Sequence, residues 1–351
     1  MNFSNAQFVF NGTEPAGSSH EFQSLPIMLI GVVMTVTAGI GNFTLLLTIY
    51  KNPHRNLRSA STSLVINMAI ADFMLGVFAG SLLTAHDAVL FIDKSKHTDR
   101  VHTLLTVVIF TGVMSITVGC CNVVAMACDR WVAVRWALNY RHVVTARGIK
   151  VSIILFWIYA ALFTSLVFVP TVPYVVFEML FCHLHVSLPL LVLPVVYWRT
   201  FSALEAHMRR MKDLEPGSER MSQKTAQRER NTTKAFVLVL CLFYVAFLPY
   251  VIAINLSNFC LDCASSEAIE TFLQISLRFI LLNSCLDPFV YAWRIPKYRR
   301  AVRTLLSRYC GFRRRGKNSV GPTDITGTTL HETLGQDITN NATFQISSAI
   351  F

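Results

Sequence analysis

The sequence predicts an all-α fold: a bundle of seven transmembrane helices, with a short amphipathic interfacial helix after the seventh. Three observations carry this prediction. Of 351 residues, 53% are hydrophobic and only 15% charged, a balance at odds with a water-soluble domain of that length. Apolar runs at 26–50, 60–86, 101–127, 149–170, 174–198, 234–258 and 268–293 are each long enough to cross a hydrocarbon core of about 30 Å. The third observation is charge: 27 of the 31 Lys and Arg residues fall in 51–58, 130–150, 199–234 and 294–317, which alternate connections place on one side. That side reads as cytoplasm, so residues 1–25 read as an extracellular segment and the chain as a multi-pass membrane protein. The net charge of +11 therefore reports topology, and a nucleic-acid partner is excluded.

The elements follow in order. Ahead of the first helix lies a polar stretch without Lys or Arg and so without a basic flank, which predicts an uncleaved segment; Asn2 and Asn11 begin acceptor triplets for N-glycans. Helix one carries Asn42, and helix two carries Asp72 in "NMAIAD". An acid at mid-membrane is expensive unless it is neutral, paired or bound to a cation. Helix three runs into "CDRWVAV", which puts Asp129 and Arg130 at the membrane edge. Helix four has Trp157 and ends at Pro170 and Pro173; apolar sequence resumes at Tyr174, so the connection to helix five is very short.

Helix five holds Pro189 and Tyr197, and the polar segment 200–233 is broken by Pro216 and Gly217 into two helical extensions. In helix six, Pro249 of "FYVAFLP" removes a backbone hydrogen bond and predicts a kink, with Phe243 and Phe247 beside it. Cys260 and Cys263 in the following outward loop suit a local disulfide, or less well a metal. Helix seven contains "NSCLDPFVY", with Asn283, Ser284, Asp287 and Tyr291. Residues 294–310 set Ile295, Tyr298, Val302, Leu305 and Leu306 at helical spacing among arginines, the pattern of a helix lying on anionic membrane lipid. Cys310 is either a palmitoylation site or an unmodified thiol. The Gly-, Thr- and Asn-rich tail 311–351 reads as disordered.

In their order and spacing these landmarks resemble the rhodopsin-like class of G-protein-coupled receptors over about 26–310. The resemblance implies a receptor, not an enzyme, whose partners are a heterotrimeric G protein, arrestin, a receptor kinase and an extracellular ligand. It implies that Arg130 is held by Asp129 and by Glu229 at the start of helix six until helix six swings outward, and that Tyr197 and Tyr291 then approach each other. It also places Asn42, Asp72, Asn283, Ser284 and Asp287 around one central cavity. The family usually has asparagine where Asp287 stands. Two carboxylates in low dielectric then call for one shared proton or a bound sodium ion at Asp72, or a hydrogen-bonded cluster without an ion. Gly119, where the family commonly has serine, removes one oxygen from the sodium reading. Beyond that ion no cofactor is expected. Phe247 replaces the family's tryptophan before the helix-six proline.

On the ligand side the matching positions argue by departure. Gly112 stands where amine receptors of the family carry an aspartate, and Leu281 where opsins carry the retinal lysine. Leu105 replaces the cysteine that usually bridges helix three to the second outward loop. These features resemble the group of melanocortin, adenosine and cannabinoid receptors. The adenosine receptors' helix-six asparagine is nevertheless matched by Ile254, with Asn255 one place away, and the melanocortin receptors' helix-three acids by Leu105 and Ile109. The expected pocket is mostly apolar, with Val113, Ile116, Phe177, Phe181, Tyr250, Ile254 and Leu281 beside Gly112. His86, His185 and Arg278 are its polar candidates. His185 is either a core histidine or a contact, and Arg278 either meets an anionic ligand, snorkels or pairs with Asp87. Such a pocket suits a small molecule, lipid- or nucleoside-like. The rival readings are a peptide-binding receptor of the same family and a seven-helix transporter or channel; the latter would show an inverted repeat or a path of buried charges.

Overall fold

A computed structural model describes residues 19–53, 57, 59–92, 99–136, 139–212, 219–260 and 266–309. Asn2, Asn11, Cys263, Cys310 and the tail from 311 lie outside them. Among the described residues the chain is helical throughout, and seven helices are long and apolar enough to span a membrane. They are α1 (Ser19–Lys51), α2 (Ala60–Met74, Leu75–Gly80 and Ser81–Ile92), α3 (Asp99–Arg135) and α4 (Ala146–Ser165 with a last turn Leu166–Phe168). Then come α5 (Tyr174–Leu180, Phe181–Ser187 and Leu188–Lys212), α6 (Glu219–Phe259) and α7 (Glu267–Arg294), followed by α8 (Pro296–Tyr309).

Several helices outrun their apolar runs: α1 starts at Ser19 rather than near 26, α3 continues to Arg135, and α6 begins at Glu219. Hydropathy marks where a helix enters lipid, not where its hydrogen bonds begin. Ser59 and Thr145 cap α2 and α4, their hydroxyls accepting from the amides of Thr62 and Gly148. The middle turns of α2 and α5 are π-helical. In α5 this wide turn ends just before Pro189, whose ring would otherwise press on the carbonyl one turn back.

The helices α2 and α7 form the centre, with 61% of each apolar span buried, whereas only 17% of α4 is. Accordingly α4 turns Ile154, Leu155, Ile158 and Leu162 outward, as a lipid-facing helix must. One core gathers Leu64, Met126, Tyr197 and Tyr291 at the Arg130 end; a second gathers Phe181, Phe243, Phe247 and Tyr250 towards the other. The α8 helix is tied to the first by buried Tyr298, which donates to Thr62 Oγ1 at 3.3 Å, and by Lys297, which donates to the same atom at 3.2 Å.

Small residues let α1 and α2 approach closely. A Cβ on Gly76 would stand 2.5 Å from Ala38 Cβ, and one on Gly80 2.7 Å from Thr35 Oγ1; this is the spacing of small residues that lets membrane helices touch. Gly76→Ala therefore forces two packed backbones apart, which we expect to lower stability by about 1–3 kcal/mol despite alanine's better helix propensity. Gly119→Ala meets only Met68 Cε at 3.9 Å and should stabilise by up to ~1 kcal/mol. Thermal unfolding of the two purified variants, and their yield at the cell surface, checks the opposite signs.

Candidate functional site

Three polar constellations and one cavity lie along the bundle. At the end of α3, Arg130 is only 7% exposed and Asp129 6%. The Arg130 guanidinium donates from Nη2 at 2.5 Å and from Nε at 3.1 Å to Asp129 Oδ2. The same Nη2 donates at 2.7 Å to Ser61 Oγ of α2, whose hydroxyl donates at 2.9 Å to Asp129 Oδ2. Tyr140, in a helical turn after α3, donates to Asp129 Oδ1 at 2.6 Å. Its phenol is pushed up to about 12, first by burial and then by the hydrogen bond to Asp129, so it remains a donor at neutral pH. Ser61 and Tyr140 were missed by the sequence reading, because contacts spanning 68 and 11 residues leave no local pattern. Glu229 lies on α6, but its side chain is outside the described ones. Tyr197 and Tyr291 are both buried, and the Tyr291 hydroxyl donates to Met126 Sδ at 3.7 Å.

In mid-bundle Asn42, Asp72, Ser284 and Asp287 come together, and Asn283 is buried beside Ser284 in the chain. Ser284 Oγ donates to Asp72 Oδ1 at 2.7 Å, and Asn42 Nδ2 donates to the Ser284 carbonyl at 2.9 Å. That carbonyl is the one whose intrahelical partner Pro288 removes. Asp72 and Asp287 lie within hydrogen-bonding reach of each other. As carboxylates they leave Asp72 Oδ2 and both Asp287 oxygens without a donor, alongside Asn42 Oδ1 and Asn283 Oδ1. A neighbouring network joins three helices: Trp157 Nε1 donates to Asn67 Oδ1, Asn67 Nδ2 to Asn122 Oδ1, and Asn122 Nδ2 to the Leu64 carbonyl.

Phe243 and Phe247 are buried on α6, with ring centroids 4.4 Å apart, and Pro249 lies inside that helix. A second proline effect appears here. Pro194 of α5 frees the Leu190 carbonyl one turn back, and the Tyr244 hydroxyl of α6 donates to that oxygen.

Between α2, α3, α5, α6 and α7 opens a cavity of about 820 Å³, its mouth included. Its walls take Gly112, Val113, Ile116, Phe181, Tyr250 and Leu281 from the expected set, and Leu105 and Ile109 besides. Five expected contacts are elsewhere. Ile254 is packed into the core at 1% exposure. His185 faces α4, its Nε2 2.7 Å from the Tyr159 hydroxyl, because the π turn of α5 rotates it off the face that Glu178 and Phe181 share. Arg278 donates from Nη2 to Asp87 Oδ2, and His86 Nδ1 lies 3.5 Å from Asp87 Oδ1; that pairing is the third of the alternatives open for Arg278. Phe177 packs on Phe163 with centroids 5.4 Å apart. Conversely, Tyr174 and Glu178 line the cavity and were overlooked. Glu178, an acid in the apolar run "YVVFEMLF", was the available signal. Cys260 is disulfide-bonded.

Seven spanning helices, the Asp-Arg knot at the end of α3 and the proline-bearing α6 and α7 define a seven-helix membrane receptor. The family described as "7 transmembrane receptor (rhodopsin family)" matches residues 41–291; the chain belongs to it and is a G-protein-coupled receptor. The dog (Canis lupus familiaris) adenosine receptor A2a is 25% identical over 343 residues, covering 88% of this chain and 78% of the relative. The mouse (Mus musculus) melanocortin receptor 5 is 25% identical over 332 residues, covering 90% and 98%, and the human adenosine receptor A2a is 26% identical over 325, covering 80% and 74%.

The buried ion pair gives a test of its own. Asp87→Ala leaves the Arg278 guanidinium, 7% exposed and with Nε already lacking a partner, without its counter-charge. We expect a loss on the order of 3 kcal/mol, read as reduced surface expression and a lower unfolding temperature. The double variant Asp87→Leu, Arg278→Leu should recover most of it.

Proposed function

We propose that the receptor converts binding of an extracellular small molecule in this cavity into nucleotide exchange on a heterotrimeric G protein, by an outward swing of α6. The observation that carries the proposal is that the cavity and the Asp129–Arg130 knot occupy opposite stretches of α3, roughly 20 Å apart from Ile116 to Arg130. In this reading Asp129, Ser61 and Tyr140 hold Arg130 in the resting state, Glu229 adds a second acid from α6, and release of Arg130 exposes it to the G protein. Tyr197 and Tyr291 then meet in the space α6 leaves. Arrestin and a receptor kinase would engage the same end. In this reading the N-terminus is outside, which the charge asymmetry of the connections supports, Asn2 and Asn11 carry glycans, and the receptor resides in the plasma membrane.

A small molecule is favoured by the cavity's apolar walls with few polar groups, with a body lipid- or nucleoside-like in character. Two relatives are named for adenosine and one for melanocortin. Asn255, the nearest residue to the adenosine-type asparagine, donates instead to the Val251 carbonyl of its own helix at 2.7 Å, which speaks against adenosine itself.

For the central pair we propose one shared proton. The orphaned oxygens of Asp72, Asp287, Asn42 and Asn283 are a donor set that a hard cation such as sodium would also accept, and a bound ion would neutralise the same charge. The closeness of the two carboxyls, within hydrogen-bonding reach, favours the proton. Asp287→Asn should then keep its unfolding temperature within about 2 °C, since an amide supplies the same hydrogen bond. Exchange of sodium chloride for choline chloride should change it equally little; a sodium-specific rise lost in Asp72→Asn would establish the ion instead.

Nucleotide exchange on purified G proteins tests the whole reading. Arg130→Ala should reach the surface and lose coupling. Tyr140→Phe removes one hydrogen bond of about 0.5–1.5 kcal/mol and should raise ligand-free exchange by about two- to tenfold, equally at pH 6.5 and pH 8.5, because the wild-type phenol stays protonated across that range. An absence of exchange with every G-protein class, basal or stimulated, would sink the proposal.

A further inference from the structure

Glu178 stands out among the buried ionisable groups of the receptor. Asp129 is partnered by Arg130, Ser61 and Tyr140, and Asp72 by Ser284, while Asp287, whose oxygens lack a donor, lies beside Asp72 and does not line the cavity. Glu178 is 94% buried, as its exposure is 6%, yet no described residue gives its carboxyl a hydrogen bond or a counter-charge. It is one of the residues lining the cavity, and the other lining side chains are apolar apart from the hydroxyls of Tyr174 and Tyr250. No cation is among them. Arg278 on α7 is committed to Asp87, and His185 is turned towards Tyr159.

An unpaired carboxylate in an apolar wall is destabilising, and a bound cation relieves it with a charge-assisted hydrogen bond. The aromatic surroundings point the same way. Tyr174, Phe181 and Tyr250 share the cavity with Glu178, the rings of Phe181 and Tyr250 meeting edge to face with centroids 6.3 Å apart. Ring faces beside an acid are a setting for ammonium groups. The remaining walls, from Leu105 on α3 to Leu281 on α7, offer only hydrocarbon to the rest of the ligand.

We infer that Glu178 is the counter-ion for a protonated amine carried on an apolar body, bound between α2, α3, α5, α6 and α7. The absence of an aspartate at Gly112 on α3 thus does not exclude an amine; it moves the anchoring charge to α5. The inference rests on the receptor reading for its biological meaning, but its test measures binding without a G protein, so a failure of coupling leaves it standing and a failure of binding leaves coupling standing.

The probes are phenylalkylamines with two- to six-carbon chains and the matching phenylalkanols, applied to the full-length receptor in lipid nanodiscs and read by thermal stabilisation. At least one amine should bind wild type about tenfold or more tightly than its alcohol. Glu178→Gln should bring the two within about threefold of each other, and Glu178→Asp should keep the preference. Equal affinities in wild type, a preference that survives Glu178→Gln, or no stabilisation by any amine would overturn the inference. A second measurement guards against a structural role: unliganded Glu178→Leu should unfold at or above the wild-type temperature, since it removes a buried unpaired carboxyl. Unfolding more than about 5 °C below wild type would show that Glu178 supports the fold, and would equally overturn it.

Discussion

In a bilayer every backbone amide and carbonyl must find a partner inside the protein, and the prolines of this receptor turn that constraint into its architecture. Pro288 deprives the Ser284 carbonyl of its helical partner, and Asn42 of α1 takes it up. Pro194 does the same to Leu190, and Tyr244 of α6 answers. These two freed carbonyls are thus spent on contacts between helices, joining α1 to α7 and α5 to α6. Where Pro189 would crowd the preceding turn, α5 instead opens into a π-helical stretch. The bundle is held at its weak points by side chains that only a neighbouring helix can supply.

Charge obeys the same logic. Asp129 with Arg130, and Asp87 with Arg278, put opposite signs together at the two ends of the bundle. Such pairs contribute little net stability, because desolvation offsets their attraction, yet removing one member leaves the other stranded. Their value is therefore conformational: a guanidinium tied to Asp129 and Ser61 has one well-defined resting position. The Asp72–Asp287 pair has like charges and needs an added positive one.

The fold was almost wholly legible. Hydropathy located the spans, because it reflects solvation of individual residues and not tertiary detail. Helix ends were less legible, since polar turns such as those from Glu219 remain helical outside lipid. The central cluster was readable because Asn42, Asp72 and Asp287 are buried polar residues in apolar runs. What stayed hidden depends on rotation about a helix axis. No sequence signal marks the π turns Leu75–Gly80 and Phe181–Ser187, and the second shifts the facing of α5 enough to turn His185 away from the cavity that Glu178 and Phe181 line. Ser61 and Tyr140 needed the packing of α2 and of the turn after α3 against α3.

The same geometry bears on how a ligand reaches Arg130 energetically. A ligand shifts the equilibrium only through contacts that differ between the two states, and most of the cavity wall belongs to α2, α3 and α7. The contribution of α6 is Tyr250, which adjoins Pro249 and lies one turn from Phe247, itself packed on Phe243. Next to Phe243 is Tyr244, whose hydroxyl pins α6 to the Leu190 carbonyl of α5. A ligand that displaces Tyr250 therefore acts within two turns of the bond holding α6 to α5. Because that bond ends on a carbonyl which Pro194 has left without any helical partner, releasing it carries the penalty of a bare polar group in lipid until water or another donor replaces it. In the proposed mechanism, a resting state closed by such a bond is held more firmly than the Arg130 contacts alone would hold it.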